Sequence, residues 1–269
     1  MKVLFIGDIV GKSGRDIVSS LLYDLKSQYN IDLVIANGEN AAHGKGLTIK
    51  IYNQLLEYGI DYITMGNHTY SKREINDYMS EMDRLIVPYN HEKRISENFY
   101  KIIDINNIKI CLCNILGMVF MNEVNMEPIP AFNEVLDFCE RYNPDFYFVD
   151  FHGETTSEKR IFVEYFKDYA KVVVGTHTHV QTADEDIING CAFISDVGMC
   201  GAYDSIIGRD VEETISSLVE KNHTRYTIAT GEALFCAVII EIDDNSKKPI
   251  SIERIQIRPW ITKMKFITK

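Results

Sequence analysis

The sequence predicts an α/β fold in which two mixed β-sheets are sandwiched between helices. Three observations point there. Up to residue 65, short apolar runs alternate with amphipathic helical patterns. In the middle, two strand-like runs flank Asn106-Asn107. Late in the chain, further apolar runs have strand length.

Residues 2–8 read as a buried strand. Residues 13–28 follow as a helix, with Ile17, Val18, Leu21, Leu22 and Leu25 on one face. Residues 31–36 form a second strand, 48–58 a second helix and 62–65 a third strand. This β-α-β-α-β rhythm implies parallel strands joined by right-handed crossovers. Residues 100–105 and 109–115 make a hairpin around the two asparagines. A helix is expected over 130–142, a strand over 146–151, a helix over 157–169 and a strand over 171–174. Residues 192–196, 236–242 and 250–257 read as late antiparallel strands. No linker, repeat or low-complexity segment is visible, so one domain over 1–269 is expected.

Hydrophobic residues make up 46% of the 269, enough for a large buried core. Lys and Arg number 28 against 39 Asp and Glu, a net charge of −11. That argues against a basic footprint for nucleic-acid backbone, and no duplex DNA partner is expected. A small anionic substrate stays open, because a bound metal can reverse the local charge. Six cysteines, at 111, 113, 139, 191, 200 and 236, form no C-x-x-C pair and lie mostly in apolar runs. They read as reduced core residues of a cytoplasmic protein. Residues 1–8 are too short a run, too soon interrupted by Asp8, for a signal peptide. No run approaches the roughly 20 apolar residues of a membrane span, so no membrane partner is expected.

Polar residues gather where the strands end. The sets are Gly7-Asp8, Gly38-Glu39-Asn40, Gly66-Asn67-His68, His152-Gly153 and Gly175-Thr176-His177-Thr178-His179. In a parallel sheet the carboxyl ends of the strands share one edge, where ligand crevices form. If strand conformation persists, His177 and His179 point to the same face. Imidazole, carboxylate and amide oxygen together suit Fe, Mn or Zn. No cysteine belongs to the set, which argues against a structural zinc or an iron–sulfur cluster. Taken singly, each residue has an ordinary explanation: Asp8 caps a helix, Asn67 makes a turn, a lone His bonds to its neighbours. The ordered set is what points to a site. His43, His91 and His223 lie outside it and read as surface residues.

The segment Gly7-Asp8-Ile9-Val10-Gly11-Lys12-Ser13 resembles a phosphate-binding loop, but that pattern needs four residues between its glycines and here there are three. A nucleotide loop is set aside. Lys12 and Arg15 can still attract an anion.

The ordered set resembles the calcineurin-like metallophosphoesterases, whose pattern runs Asp-x-His, Gly-Asp, Gly-Asn-His, a lone His, then Gly-His-x-His. This chain departs twice: Val10 stands where the first His belongs, and Glu39 replaces the bridging Asp. Both departures resemble the YmdB-type bacterial branch. So do Ala36-Asn37-Gly38-Glu39-Asn40-Ala41-Ala42, Ser195-Asp196-Val197-Gly198-Met199 and Tyr203-Asp204-Ser205-Ile206-Ile207-Gly208. The match spans nearly the whole chain; residues 117–131 are less typical of the branch.

The resemblance implies a metallophosphoesterase-type sandwich carrying two transition-metal ions, iron with manganese as the alternative. Asp8, Glu39, Asn40 and His179 would hold one ion. Glu39 as a bridge, Asn67, His152 and His177 would hold the other. His68 would stay unligated beside the substrate as general acid, while a hydroxide shared by the metals attacks phosphorus. Paired ions about 3.5–4 Å apart lower the pKa of a shared water and clamp phosphoryl oxygens. The branch further implies phosphodiesterase activity, with 2′,3′-cyclic nucleotides among the substrates, and a homo-oligomer. A phosphomonoesterase or protein phosphatase with the same site is the alternative, as is a nucleotide-sensing regulatory protein without turnover.

Overall fold

The computed structural model describes residues 1–95 and 98–259, so the last ten residues of the expected 1–269 domain lie outside the described part. The strands are β1 (Lys2–Ile6), β2 (Asp8–Ile9), β3 (Leu33–Asn37), β4 (Tyr62–Thr64), β5 (Leu85–Ile86), β6 (Tyr100–Ile105) and β7 (Ile108–Leu116). They continue as β8 (Phe146–His152), β9 (Ala170–Thr176), β10 (Asp186–Ile188), β11 (Cys191–Ile194), β12 (Met199–Ala202), β13 (Ala233–Ile242) and β14 (Pro249–Ile257). The α-helices are α1 (Gly11–Tyr29), α2 (Ile49–Glu57), α3 (Glu74–Tyr78), α4 (Pro128–Cys139), α5 (Thr156–Phe166) and α6 (Val211–Leu218).

Two mixed sheets result, as the sequence predicts. One runs β2-β12-β13-β1-β3-β4-β5, with β14 also on β13; the other runs β10-β11-β9-β8-β7-β6. Period-two alternation sends each strand's side chains into two different cores. Val3 and Phe5 of β1 meet Phe146 and Phe148 of β8 between the sheets. Leu4 and Ile6 face the other way, onto Val18 and Leu22 of α1 and Leu55 of α2. Tyr147, Val149 and Phe151 of β8 meet Phe132 of α4 and Phe162 of α5. The layers are therefore helix, sheet, sheet, helix. Fully burying one such side chain contributes about 1.5–3 kcal/mol, so the inner core holds the sheets face to face.

Several expectations need correction. Residues 2–8 are not one strand. The Gly7 amide still donates to Cys236 O, but the Asp8 amide donates to Gly198 O, so the chain leaves β13 for β12 at Gly7. Of the late strands, β11 is parallel to β9 and antiparallel only to β10. α1 starts two residues early, at Gly11, and α4 starts at Pro128, a helix-start proline. The short α3, β5, β10, β12 and the exposed α6 were not foreseen. The hairpin is as expected: Asn106 and Asn107 both take positive φ, 52° and 62°, which this two-residue turn requires.

β1, β3, β4 and β5 run parallel, as do β7, β8 and β9. Their carboxyl ends meet: Asn37, ending β3, donates from Nδ2 to Asp150 Oδ2 of β8 at 3.1 Å. That meeting edge holds the polar set.

Candidate metal centre

The polar residues fall into two groups around a cavity of about 300 Å³, which Glu39, Asn40, His68, His177 and His179 all line. The first group surrounds His152, which is fully buried at the end of β8. Its Nε2 lies 3.2 Å from Glu39 Oε1, 3.1 Å from Asn67 Oδ1 and 3.0 Å from His177 Nδ1. Gly66 makes this approach possible, since a Cβ there would sit 2.3 Å from Glu39 Oε2 and 2.4 Å from His152 Nε2. The second group joins Asp8, Asn40 and His179. His179 Nε2 is 3.2 Å from Asn40 Oδ1 and 3.8 Å from Asp8 Oδ1. The groups are linked by the His177 amide, which donates to Asp8 Oδ2 at 3.2 Å.

The hydrogen bonds behind these side chains decide what they present to the cavity. Thr176 Oγ1 donates to Asp150 Oδ1 at 2.6 Å, so it accepts from His152 Nδ1 at 2.8 Å. In the neutral ring, His152 Nε2 is then left with a lone pair. His179 Nδ1 donates to the Ile207 carbonyl at 2.8 Å, and His177 Nε2 faces Glu154 Oε2 at 3.2 Å. Asn40 Nδ2 donates to Gly44 O at 2.9 Å, turning Oδ1 inward. Every site-facing atom is thus an acceptor: His152 Nε2, His177 Nδ1, Glu39 Oε1 and Asn67 Oδ1 in one group, His179 Nε2, Asn40 Oδ1 and Asp8 Oδ1 in the other. Asp8 Oδ1 is buried without a hydrogen-bond partner. Acceptors gathered at 3–4 Å repel unless a cation or proton stands among them. The donor set fits divalent cations, with imidazoles oriented from behind as metal-binding histidines are. Ligand-type atoms of Glu39, His152 and His177 lie within 4.8 Å of one another.

Charge and burial reinforce this. Burial raises Asp8 to about 7, against the lowering pull of His179 and His152. Burial would raise Glu39 too, but His152 beside it holds its carboxyl below the usual carboxylate range. His152 is raised in turn: Glu39 overcomes the lowering effect of burial. Burial and the neighbouring His152 push His177 down to about 3. Glu39 thus favours positive charge beside it, as a proton on His152 or as a cation.

His68 belongs to neither group. Its backbone N–H donates to Glu39 Oε2 at 3.0 Å while its ring lines the cavity. The chain does turn here: His68 has φ −86° and ψ 10° and leads into a short 3₁₀ turn, Thr69–Ser71. Burial lowers the His68 pKa.

Two sequence readings change. His177 and His179 do not share a face through strand alternation. β9 stops at Thr176, and both residues take positive φ, 108° and 67°, which fans their rings toward different groups. His91 is not on the surface; it is 1% exposed. Its Nδ1 accepts the Lys93 amide and its Nε2 donates to Asn67 O at 3.2 Å, bracing the Asn67-His68 turn. His43 and His223 are exposed, as expected.

Other supporting residues were given no role in the sequence reading. Buried Lys159 donates to Thr176 O at 3.0 Å and to Asp196 Oδ2 at 3.2 Å. Asp196 also accepts the Thr178 and Gly198 amides, which shapes the His177–His179 turn. Lys159 lies three residues before Phe162 on the apolar face of α5, a polar interruption that could have flagged it. Asp150, inside an apolar strand, gave a similar signal. Ile206 and Ile207, from the 203–208 motif, form the far cavity wall with Arg209 and Tyr226, and the last two had no such signal.

Comparison with known proteins agrees with this architecture. The model of the YmdB-like protein family matches residues 4–255. The chain is 43% identical over 258 residues to the 2′,3′-cyclic-nucleotide 2′-phosphodiesterase of Bacillus subtilis (strain 168), covering 96% of this chain and 97% of the relative. The crystal structure of a novel phosphatase from Mycoplasma pneumoniae superposes with a TM-score of 0.89 at 37% identity, covering 98% of this chain and 96% of that one. A hypothetical protein from Thermus thermophilus gives a TM-score of 0.87 at 33% identity, covering 96% of this chain and 99% of that one. With its strand-end set in place and this extent of match, the chain belongs to the YmdB-like family, on a metallophosphoesterase-type fold.

Proposed function

We propose that the chain is a two-metal phosphodiesterase whose substrates include 2′,3′-cyclic nucleotides. The observation that carries this reading is the gathering of seven acceptor atoms at one sheet edge, where Glu39, Asn40, His177 and His179 line a cavity and His152, His179 and Asn40 turn their donors away from it. Similarity to an enzyme named for cyclic-nucleotide hydrolysis supports the substrate class. Asp8, Asn40 and His179 would hold one ion, Asn67, His152 and His177 the other, with Glu39 between them. Nitrogen and oxygen donors without sulfur suit iron, with manganese as the alternative. Two divalent ions there would bring four positive charges against the Asp8 and Glu39 carboxylates, and would supply an acidified water and a clamp on phosphoryl oxygens.

The remaining work falls to the protein. Asp150 and Thr176 fix the His152 ring, and the Ile207 carbonyl fixes His179, so the donors need no reorganisation when substrate arrives. His68 stands at the cavity without a place in either group. A substrate phosphate raises its lowered pKa, and the protonated ring then donates to the leaving ribose oxygen. Tyr226 and Ile207 wall the side where the rest of the substrate lies.

A second reading, phosphomonoesterase, draws on the Mycoplasma pneumoniae relative, described as a phosphatase. Side-by-side kinetics on a nitrophenyl phosphodiester, its monoester and a 2′,3′-cyclic nucleotide, with and without Mn²⁺, tests both. Metal-dependent turnover of the two diesters far above the monoester is expected. A clear monoester preference contradicts the diesterase reading, and binding without turnover of any substrate makes the protein a sensor.

A further inference from the structure

Beside the candidate metal centre lies a second cavity, of about 620 Å³. Lys12, His43, Lys72, Arg225 and Tyr226 line it, and no carboxylate is among its described lining residues. In a chain of net charge −11, such a basic pocket stands apart. Tyr226 lines both cavities, so the two adjoin at this residue. Cations flank that shared ring: Lys45 Nζ is 5.1 Å and Arg209 Cζ 4.8 Å from its centroid.

The wall is built rather than loosely draped. Ile228 packs onto Gly11 and Gly44, where an added Cβ would lie 2.9 Å and 2.1 Å from its side chain. The Asp210 amide donates to Thr227 O and the Ala229 amide to Gly208 O, each at 3.0 Å. Residues 225–230 are thereby pinned against the start of α1, where Lys12 follows Gly11. Lys12 shares its charge with Asp16. Lys72 and Arg225 form no ion pair with a described residue, so their charge is free to meet a ligand. Lys12, the lysine of the segment that resembles a phosphate-binding loop, thus lines a basic pocket without being part of a nucleotide loop.

We propose that this cavity is a subsite for a second phosphate of the substrate, on the 5′ side of the nucleoside whose cyclic phosphate enters the metal centre. It rests on the phosphodiesterase reading above. The shared chemistry is a 5′-phosphate, which either a 5′-phosphorylated cyclic mononucleotide or a dinucleotide ending in a cyclic phosphate supplies. The scissile group sits at the acceptor cluster, the sugar passes Tyr226, and the second phosphate meets Lys72 and Arg225.

The test compares kcat/KM for three substrates: a plain 2′,3′-cyclic mononucleotide, its 5′-phosphorylated form, and a dinucleotide ending in a 2′,3′-cyclic phosphate. The second phosphate is expected to raise kcat/KM about tenfold or more, the scale of one charge-assisted hydrogen bond. The double variant Lys72→Glu/Arg225→Glu should lose that preference, and Lys72→Arg should keep it. A gain with both extended substrates assigns the pocket to a 5′-phosphate of either kind; a gain with the phosphorylated mononucleotide alone assigns it to a terminal phosphate, and with the dinucleotide alone to a continuing chain. Equal kcat/KM for all three in the wild type overturns the subsite and leaves the diesterase reading standing. Calorimetry on the metal-loaded protein, with adenosine 3′-monophosphate against adenosine 3′,5′-bisphosphate, reads the pocket even if no diester is cleaved. Tighter bisphosphate binding that the double variant abolishes supports it; equal affinities overturn it.

Discussion

The two halves of the candidate centre are held by different means. Around His152 the supports are strand-borne: Thr64 of β4, Asp150 of β8 and Thr176 of β9 form one buried network. Around His179 they are loop-borne: the Ile207 carbonyl, at a residue with φ 47°, and the turn that brings Gly44 O to Asn40. Strand positions are fixed by ladders and by two cores, whereas loop positions depend on a few local bonds. A strand-held half and a loop-held half therefore share one cavity, with Glu39 at their junction. The loop-held half opens toward the wall where the substrate's variable part would lie.

The largest expected effect removes the junction. Glu39→Ala should cost both metals and reduce turnover to background, because its carboxylate is the only one proposed to face both ions. Elemental analysis beside activity measures this, and a variant that keeps one full equivalent shows that Glu39 serves one half only. Next comes His68→Ala. It should keep both metals yet lose about 10²–10⁴-fold on a cyclic nucleotide, whose alkoxide leaving group needs a proton. On a nitrophenyl phosphodiester the loss should be much smaller, since nitrophenolate leaves unaided. Equal losses on both substrates assign His68 to positioning or charge stabilisation, and a fall in metal content ties it to the metals. Smaller still is Asp150→Asn, which loosens the network behind His152. It should weaken metal binding about 10–100-fold in the strand-borne half alone. Competition with a chelator at graded concentrations reads this, and equal weakening of both ions would show that the halves are not independent.

How much of this was legible in the sequence follows the same division. Asp8, Glu39, Asn40, Asn67, His152, His177 and His179 could be gathered from sequence because each follows an apolar strand, and parallel strands end on one edge. The sandwich was legible because runs such as Phe146-Tyr147-Phe148-Val149 bury both faces, demanding a core on either side. The loop-borne part was not. The Ile207 contribution is a carbonyl, which no side-chain pattern marks. His91 sits in a loop whose burial depends on Tyr70 and Asn67, so no periodicity reveals it. Tyr226 and Arg225 reach the cavity only because Ile228 docks far back in the sequence, on Gly11 and Gly44. The positive φ of His177 and His179 was hidden as well, because tertiary bonds from Asp8 and Asp196 hold that turn.

The central claim is that two ions bind where these acceptor atoms converge. Its most direct test is the transition-metal content of the purified, folded protein after metal-supplemented expression, set beside Asp8→Ala. The expected result is close to two ions per wild-type chain and close to one in Asp8→Ala, which strips the loop-borne half and spares the strand-borne one. A well-folded wild-type protein that carries no transition metal, or an Asp8→Ala variant that still carries two, would contradict it.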